Sequence, residues 1–117
     1  MIARWLAPVL LVLGGCAGSS EVTPAARQRA ATIWSERCAN CHGPAGRGDG
    51  PGAKLLPKAP RNFADATWQG SVDDARIAQV IVDGGLRYGL DSNMAANPDL
   101  QREPAVVSAL VELIRGL

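Results

Sequence analysis

Residues 38–42 read Cys38-Ala39-Asn40-Cys41-His42, two thiols and an imidazole in one short run. Two intervening residues set the thiols about one helical turn apart, on one side of a helix. At that separation the sulfurs can add across the two vinyl groups of one porphyrin edge. The adjoining imidazole can then approach the iron from one face, and covalent attachment holds the ring without a large pocket. The spacing is the C-x-x-C-H signature of c-type haem attachment. Three other chemistries use these residue types. A thioredoxin-like redox pair belongs in a βαβ setting, which this pattern lacks. A structural zinc site needs four ligands. With Cys16 set aside as a lipid attachment site (below), only Cys38, Cys41 and His42 remain. A Cys38–Cys41 disulfide leaves His42 without a role. The haem reading uses all three residues, and bis-His ligation within the chain is excluded because His42 is the only histidine.

Cys16 belongs to a different chemistry. Met1 to Leu13 carries one cation, Arg4, and then the mostly apolar run Trp5 to Leu13, the charge and apolar pattern of an export signal. The run is well short of the ~20 residues that span a bilayer. It ends in Leu13-Gly14-Gly15-Cys16, which resembles a bacterial lipoprotein lipobox. There the small residues admit a peptidase, and the cysteine thiol receives a diacylglyceryl group and becomes the new N-terminus. An ordinary signal peptide with an incidental cysteine, or a short buried helix, is the plainer alternative. The chain then divides into a lipoprotein signal peptide over 1–15, a lipidated Cys16 with a flexible tether over 16–23, and a folded domain over 24–117. Acyl chains at about 0.8 kcal/mol per buried CH₂ make a durable anchor, and the small, polar Ala17–Thr23 reaches at most ~25 Å. The expected location is the cell envelope, exported and lipid-anchored, facing the periplasm. Ala17 after the cysteine, rather than Asp, resembles the signal for outer-membrane sorting in Gram-negative bacteria.

The elements that position Cys38–His42 follow from periodicity. The 117 residues make one domain by length. Hydrophobic residues at 47%, charged residues at 20% and a net charge of +1 exclude a disordered polyelectrolyte and a strongly basic nucleic-acid binder. Thirteen Gly and eight Pro imply much irregular backbone. Three helices are predicted. The first opens at Thr23-Pro24, an N-cap followed by Pro at N1, carries Ala26, Ala30, Ile33, Trp34 and Arg37/Cys38 at helical spacing, and ends near Cys38. The second begins at Ser71 with Asp74 completing a capping box, carries Ile77, Val80 and Ile81, and stops at Gly84-Gly85. The third starts at Glu103-Pro104 and buries Val106/Val107, Leu110, Leu113/Ile114 and Leu117. Residues 43–67 and 86–103 read as irregular, and no strand pattern or repeat is evident. Two long structureless loops are unusual in so small a domain. Beyond the signal only Trp34, Phe63, Trp68 and Tyr88 are aromatic, few for a core. A large apolar cofactor wrapped by the loops resolves both difficulties.

From Ala30 to Leu117 the chain resembles a small class I (monohaem) cytochrome c of bacterial lipoprotein type. The resemblance rests on C-x-x-C-H, on the Gly-rich segment His42-Gly43-Pro44-Ala45-Gly46-Arg47-Gly48-Asp49-Gly50-Pro51, and on Leu56 to Phe63 with Pro57, Pro60, Arg61 and Phe63. It implies an all-α fold, about three main helices with long loops around one covalent haem c, the first and last helices crossing beside it. It implies cofactor-binding roles for Cys38, Cys41 and His42, and a distal methionine on the iron. Met94 is the one methionine outside the signal, and it lies between helices two and three, where the family places its ligand. A Met/His pair raises the reduction potential and suits electron transfer. Gap-filling core or exposure is the plainer account of Met94, and Ala95 stands where many relatives have Pro. Lys54 or Lys58 ligates only if deprotonated. The family holds its ligand imidazole by the carbonyl of a downstream Pro, which makes Pro51 and Pro57 candidates. Arg61 and Trp68 lie where relatives supply donors to the haem propionates, though each also reads as an ordinary surface cation or core aromatic. Trp34 reads as core between the first and last helices.

The resemblance implies a carrier of single electrons between redox protein partners, not an enzyme, with a membrane partner through Cys16 and no nucleic acid. The alternatives are a haem sensor or small enzyme with an open sixth site, and an electron-input subunit of a larger oxidoreductase. Charge is uneven. Arg47–Arg61 carries four cations and one anion, and Asp65–Asp99 six anions and two cations. Two such poles can orient docking, while solvated loops and propionate neutralisation are the simpler reading.

Overall fold

The computed structural model describes residues 20–117. The expected signal peptide, Cys16 and the first part of the expected tether lie outside the described residues. Helix α1 spans Pro24–Ile33 and passes through a π-helical turn, Trp34–Cys38, into α2, Ala39–His42. A 3₁₀ turn follows at Pro51–Leu55, then α3 (Ala66–Ser71), α4 (Asp74–Asp83), 3₁₀ turns at Leu86–Tyr88 and Pro98–Arg102, and α5 (Pro104–Arg115). Among the described residues there is no strand.

The N-terminus of α1 is built as predicted. The Thr23 hydroxyl accepts from the Ala26 N–H at 3.1 Å, with Pro24 in the first turn. The helical run does not end near Cys38. In the π turn the Ala39 N–H donates to the Trp34 carbonyl, and helix continues to His42. The wider turn changes which residues face inward. Ala26, Ala30, Ile33 and Trp34 are buried, then Cys38 and Ala39 pack against the core while Arg37 is exposed.

The predicted start of the second helix at Ser71 is also corrected. Asp65 caps the separate helix α3, accepting from Thr67 and Trp68 N–H at 2.9 and 3.3 Å. Ser71 ends that helix, its hydroxyl donating to the Trp68 carbonyl at 2.7 Å. Asp73 caps α4 instead, accepting from the Arg76 N–H at 2.8 Å. A carboxylate two positions beyond the serine supplies the cap, and Asp74 pairs with Arg115 (2.8 Å) rather than closing a capping box. Gly84 stops α4 as expected, with φ +78°.

The core forms where α1 and α4 pack on α5. Val106, Val107, Leu110 and Ile114 of α5 are buried as predicted, joined by Ala109 and Val111, while Leu117 stays at the surface. Ile33, Leu100 and Leu110 are the largest fully enclosed side chains, and each such burial contributes about 1.5–3 kcal/mol. Arg115 clips the α3–α4 corner to the end of α5. Its guanidinium donates to the carbonyls of Gln69 (2.6 Å) and Val72 (2.6 Å) as well as to Asp74. The Gln69 amide in turn donates to the carbonyls of Phe63 (2.9 Å) and Ile114 (3.0 Å). The clip fixes Phe63, and Phe63 leads into the site.

Candidate functional site

His42 is the last residue of α2, and the chain after it folds back on the helix end. The Gly48 N–H donates to the His42 carbonyl at 2.7 Å and the Gly50 N–H to the Cys41 carbonyl at 3.1 Å. These satisfy carbonyls that a helix C-terminus leaves without partners. The fold-back depends on glycine at two points. At Gly48, with φ +78°, a Cβ would stand 2.5 Å from the Pro60 carbonyl oxygen. At Gly50 it would run into the carbonyl oxygens of Ala39 and Asn40. The Phe63 N–H closes the loop on the Gly46 carbonyl at 2.7 Å.

This loop delivers the Arg61 carbonyl to His42. The imidazole Nδ1 lies 3.1 Å from that oxygen. A carbonyl only accepts, so Nδ1 carries the proton and Nε2 keeps a free lone pair. Burial lowers the His42 pKa, with the hydrogen bond to Arg61 opposing it, so the ring is neutral at neutral pH. The neutral, oriented imidazole is the form that binds a metal. The expected acceptors, Pro51 and Pro57, do not serve. Pro51 opens the 3₁₀ turn, and Pro57 is exposed in the bend beyond it. Any residue presents a carbonyl, and Arg61 presents its own because Pro60 packs against Gly48.

Around the imidazole stands an aromatic cluster. Phe63 stacks on His42 with centroids 4.5 Å apart, Trp34 lies 6.3 Å from His42, and Trp68 is tilted against Phe63 at 5.0 Å. Arg61 turns its guanidinium outward, 5.9 Å from the centroid of the half-buried Trp68 ring. Arg61 and Trp68, predicted together, are thus neighbours, with Phe63 packed between Trp68 and His42. Phe63 stood in the sequence as one of four aromatics and as part of a resemblance, and neither signal pointed to its stacking on His42.

Cys38 and Cys41 are both free thiols and half-buried. Burial pushes the Cys38 thiol up to about 11, with Arg37 opposing it. A dithiol oxidoreductase needs the opposite shift in its attacking cysteine. No cluster of three or more His, Cys, Asp or Glu with metal-binding geometry occurs among the described residues. Two unpaired thiols beside one neutral imidazole with a free Nε2 fit a covalently attached haem.

Met94 lies on a separate segment. Its carbonyl accepts from the Gly85 N–H at 2.9 Å and its N–H donates to the Asp91 carbonyl at 3.1 Å. The side chain belongs to a half-buried residue, and these bonds place the loop base at the end of α4. Sequence reasoning missed a set of contacts near it. The Arg37 guanidinium reaches Asp99 (3.0 Å) and the Asn97 side-chain oxygen (3.3 Å).

The cytochrome c family model matches residues 28–117, a span that holds all of these residues. No curated protein matches the chain. The solved structure of the KustC0563 c-type cytochrome is similar, with 31% identity, a TM-score of 0.56, and coverage of 74% of this chain and 94% of that one. The expected all-α class I fold is therefore present. The chain belongs to the cytochrome c family, as a small haem protein of electron transfer that carries one covalently attached haem c.

Proposed function

We propose that this cytochrome is a lipid-anchored carrier that passes single electrons between redox proteins through a His/Met-ligated haem. The observation that carries the reading is the Cys38–His42 turn with its imidazole held by the Arg61 carbonyl. When bound, the haem supplies the one-electron iron couple. The protein supplies the rest. Cys38 and Cys41 hold the ring through thioethers, and His42 offers Nε2 to the iron. Arg61 keeps the proton on Nδ1, which fixes the ring plane and strengthens the ligand. Met94 offers its thioether from the loop between α4 and α5, a donor that favours a raised potential. The Arg61 guanidinium and the Trp68 indole N–H are the donors for the propionates. Cys16 bears the lipid, and the tether keeps the domain at the envelope, facing the periplasm.

The test is the optical spectrum of the matured, reduced protein with and without carbon monoxide. A low-spin spectrum that ignores carbon monoxide is expected, and Met94→Ala opens the site to it. A wild-type spectrum that shifts would instead favour a sensor or small enzyme. For the anchor, Cys16→Ser moves the protein from the membrane fraction to the soluble one. Stable co-purification with one large oxidoreductase would make it a dedicated subunit of that complex.

A further inference from the structure

The two segments that carry the expected iron ligands are joined away from the haem. We propose that Arg37, Asn97 and Asp99 form a brace that holds the Met94 loop to the attachment helix, which makes Arg37 a positioning residue for the distal ligand. This inference rests on Met94 being that ligand.

The brace begins with the π turn. In an uninterrupted α-helix, Arg37 would follow Ala26, Ala30 and Ile33 on the inward stripe at steps of three and four. The π turn inserts an extra residue in the turn, the Ala39 N–H reaching the Trp34 carbonyl. Cys38 and Ala39 take the inward positions, and Arg37, directly before the first attachment cysteine, turns outward. Short π segments of this kind often mark functional positions.

The guanidinium then meets the far side of the site. One nitrogen donates to Asp99 Oδ1 at 3.0 Å, and the other stands 3.0 Å from Asp99 Oδ2. This is the two-pronged fork that fixes direction as well as distance. The first nitrogen also reaches Asn97 Oδ1 at 3.3 Å. Asn97 uses its other groups on α4. Its side-chain amide donates to the Ile81 carbonyl and its backbone N–H to the Val82 carbonyl, both at 2.9 Å. Asn97 is three residues beyond Met94, and the Gly85 N–H to Met94 carbonyl bond closes the loop between them and α4. The loop is therefore pinned at its base to α4 through Asn97 and to the attachment helix through Arg37. Its outer part exposes Leu86 (73%) and Leu90 (48%) and is tied to α4 and the loop base, through the Tyr88 hydroxyl on Asp83, the Arg76 guanidinium on the Tyr88 carbonyl (3.4 Å) and the Leu90 N–H on the Gly85 carbonyl (3.0 Å). Among these ties only those of Arg37 run to the attachment helix.

The fork is partly exposed, at 37% and 47% for the two side chains, so its contribution to global stability is small and screened by salt. Its effect falls on the fraction of time the loop stands away from the iron. Carbon monoxide reads that fraction, because apparent affinity scales with the population of the competent open state.

The experiment compares wild type, Arg37→Gln, Arg37→Lys, Asp99→Asn and Met94→Ala as reduced holo-proteins. The readouts are carbon monoxide affinity, reduction potential and hydrogen exchange at the Gly85 and Asn97 amides. Arg37→Gln and Asp99→Asn should each raise the apparent affinity about fivefold or more, lower the potential and speed exchange at both amides. Arg37→Lys should fall between wild type and Arg37→Gln, because an ammonium keeps the charge and loses the fork. Should Arg37→Gln fold poorly, Asp99→Asn removes the same contact from the other end. If Met94→Ala opens to carbon monoxide while Arg37→Gln and Asp99→Asn match wild type, the brace is overturned and Met94 remains the ligand. If Met94→Ala matches wild type, the ligand assignment fails and the brace with it.

Discussion

Residues 38–63 and residues 84–99 each present one of the expected iron ligands, and different forces hold them. On the attachment side the bonds are backbone to backbone. Gly48 and Gly50 cap the helix end, Phe63 closes on Gly46, and Arg61 contributes only its carbonyl to His42. An aromatic cluster backs the imidazole. On the distal side backbone bonds also close the loop, from the Gly85 N–H to the Met94 carbonyl and from the Asn97 N–H to the Val82 carbonyl, but side chains add much of the holding: Asn97 on Ile81, Arg37 on Asn97 and Asp99, and Tyr88 on Asp83. The attachment side's backbone bonds need no particular side chain beyond the glycines that admit them, Gly48 and Gly50. Side-chain bonds can be altered one residue at a time, and the ties from Arg37 and Asn97 at the base of the Met94 loop are of that kind.

The contrast is most exposed at the buried aromatics. Phe63→Ala removes a ring that is 7% exposed and stacked on His42, and it should cost about 3–5 kcal/mol in denaturant unfolding. Leu90→Ala on the distal loop, where the side chain is 48% exposed, should stay within about 0.5 kcal/mol. Equal losses at the two positions would erase the difference. A finer comparison uses two glycines of similar φ. Gly89, at φ +70°, has nothing within 4 Å of an added Cβ, whereas Gly48, at φ +78°, would push into the Pro60 carbonyl. Gly89→Ala should cost about 1–2 kcal/mol, the left-handed conformation alone. Gly48→Ala should cost more and should also broaden the low-spin spectrum, because Pro60 carries Arg61.

The smallest effect is a pH dependence, which the distal side shares with the exposed Arg27–Glu112 pair between α1 and α5. The Asn93 backbone and side-chain N–H groups hold the Asp91 carboxyl below its ordinary range, and the Arg37 fork does the same for Asp99. Carboxyls lowered in the folded state stabilise it above their unfolded value, ~3.9, and that contribution fades as pH falls through the lowered folded values. Acidification below about pH 4 should therefore loosen the distal loop and raise carbon monoxide affinity before helix content falls. Circular dichroism and carbon monoxide titration over the same pH series would separate the events. Helix loss that precedes any change in affinity would contradict the contrast.

Much of this architecture was legible in the sequence. Thr23 and Gly84 acted as the helix signals they resemble, and α5 buried the face its periodicity marks. Cys38-Ala39-Asn40-Cys41-His42 pointed to the haem by residue type and spacing alone. Three features escaped for different reasons. A π turn adds a residue without changing composition, so Arg37 and Cys38 looked interchangeable on the inward stripe. Ser71 and Asp73 both resemble caps, and only the presence of α3 decides between them. The acceptor for His42 is a backbone oxygen, which has no residue-type signature. A search for a particular proline therefore passed over Arg61, although Pro60 stood beside it.

The packing of α1 on α5 brings the two ends of the domain together, and that has a consequence for timing. A chain is made from its N-terminus, so the Cys38–His42 turn exists well before the residues of α5. Until α5 arrives, the inward stripe of α1 has no partner, and a long closure must be completed late. During that interval Cys38 lacks the core against which it packs in the closed domain. The same end-to-end closure that shields Ile33 and Leu110 in the finished molecule thus covers the first attachment cysteine only once the last helix is in place.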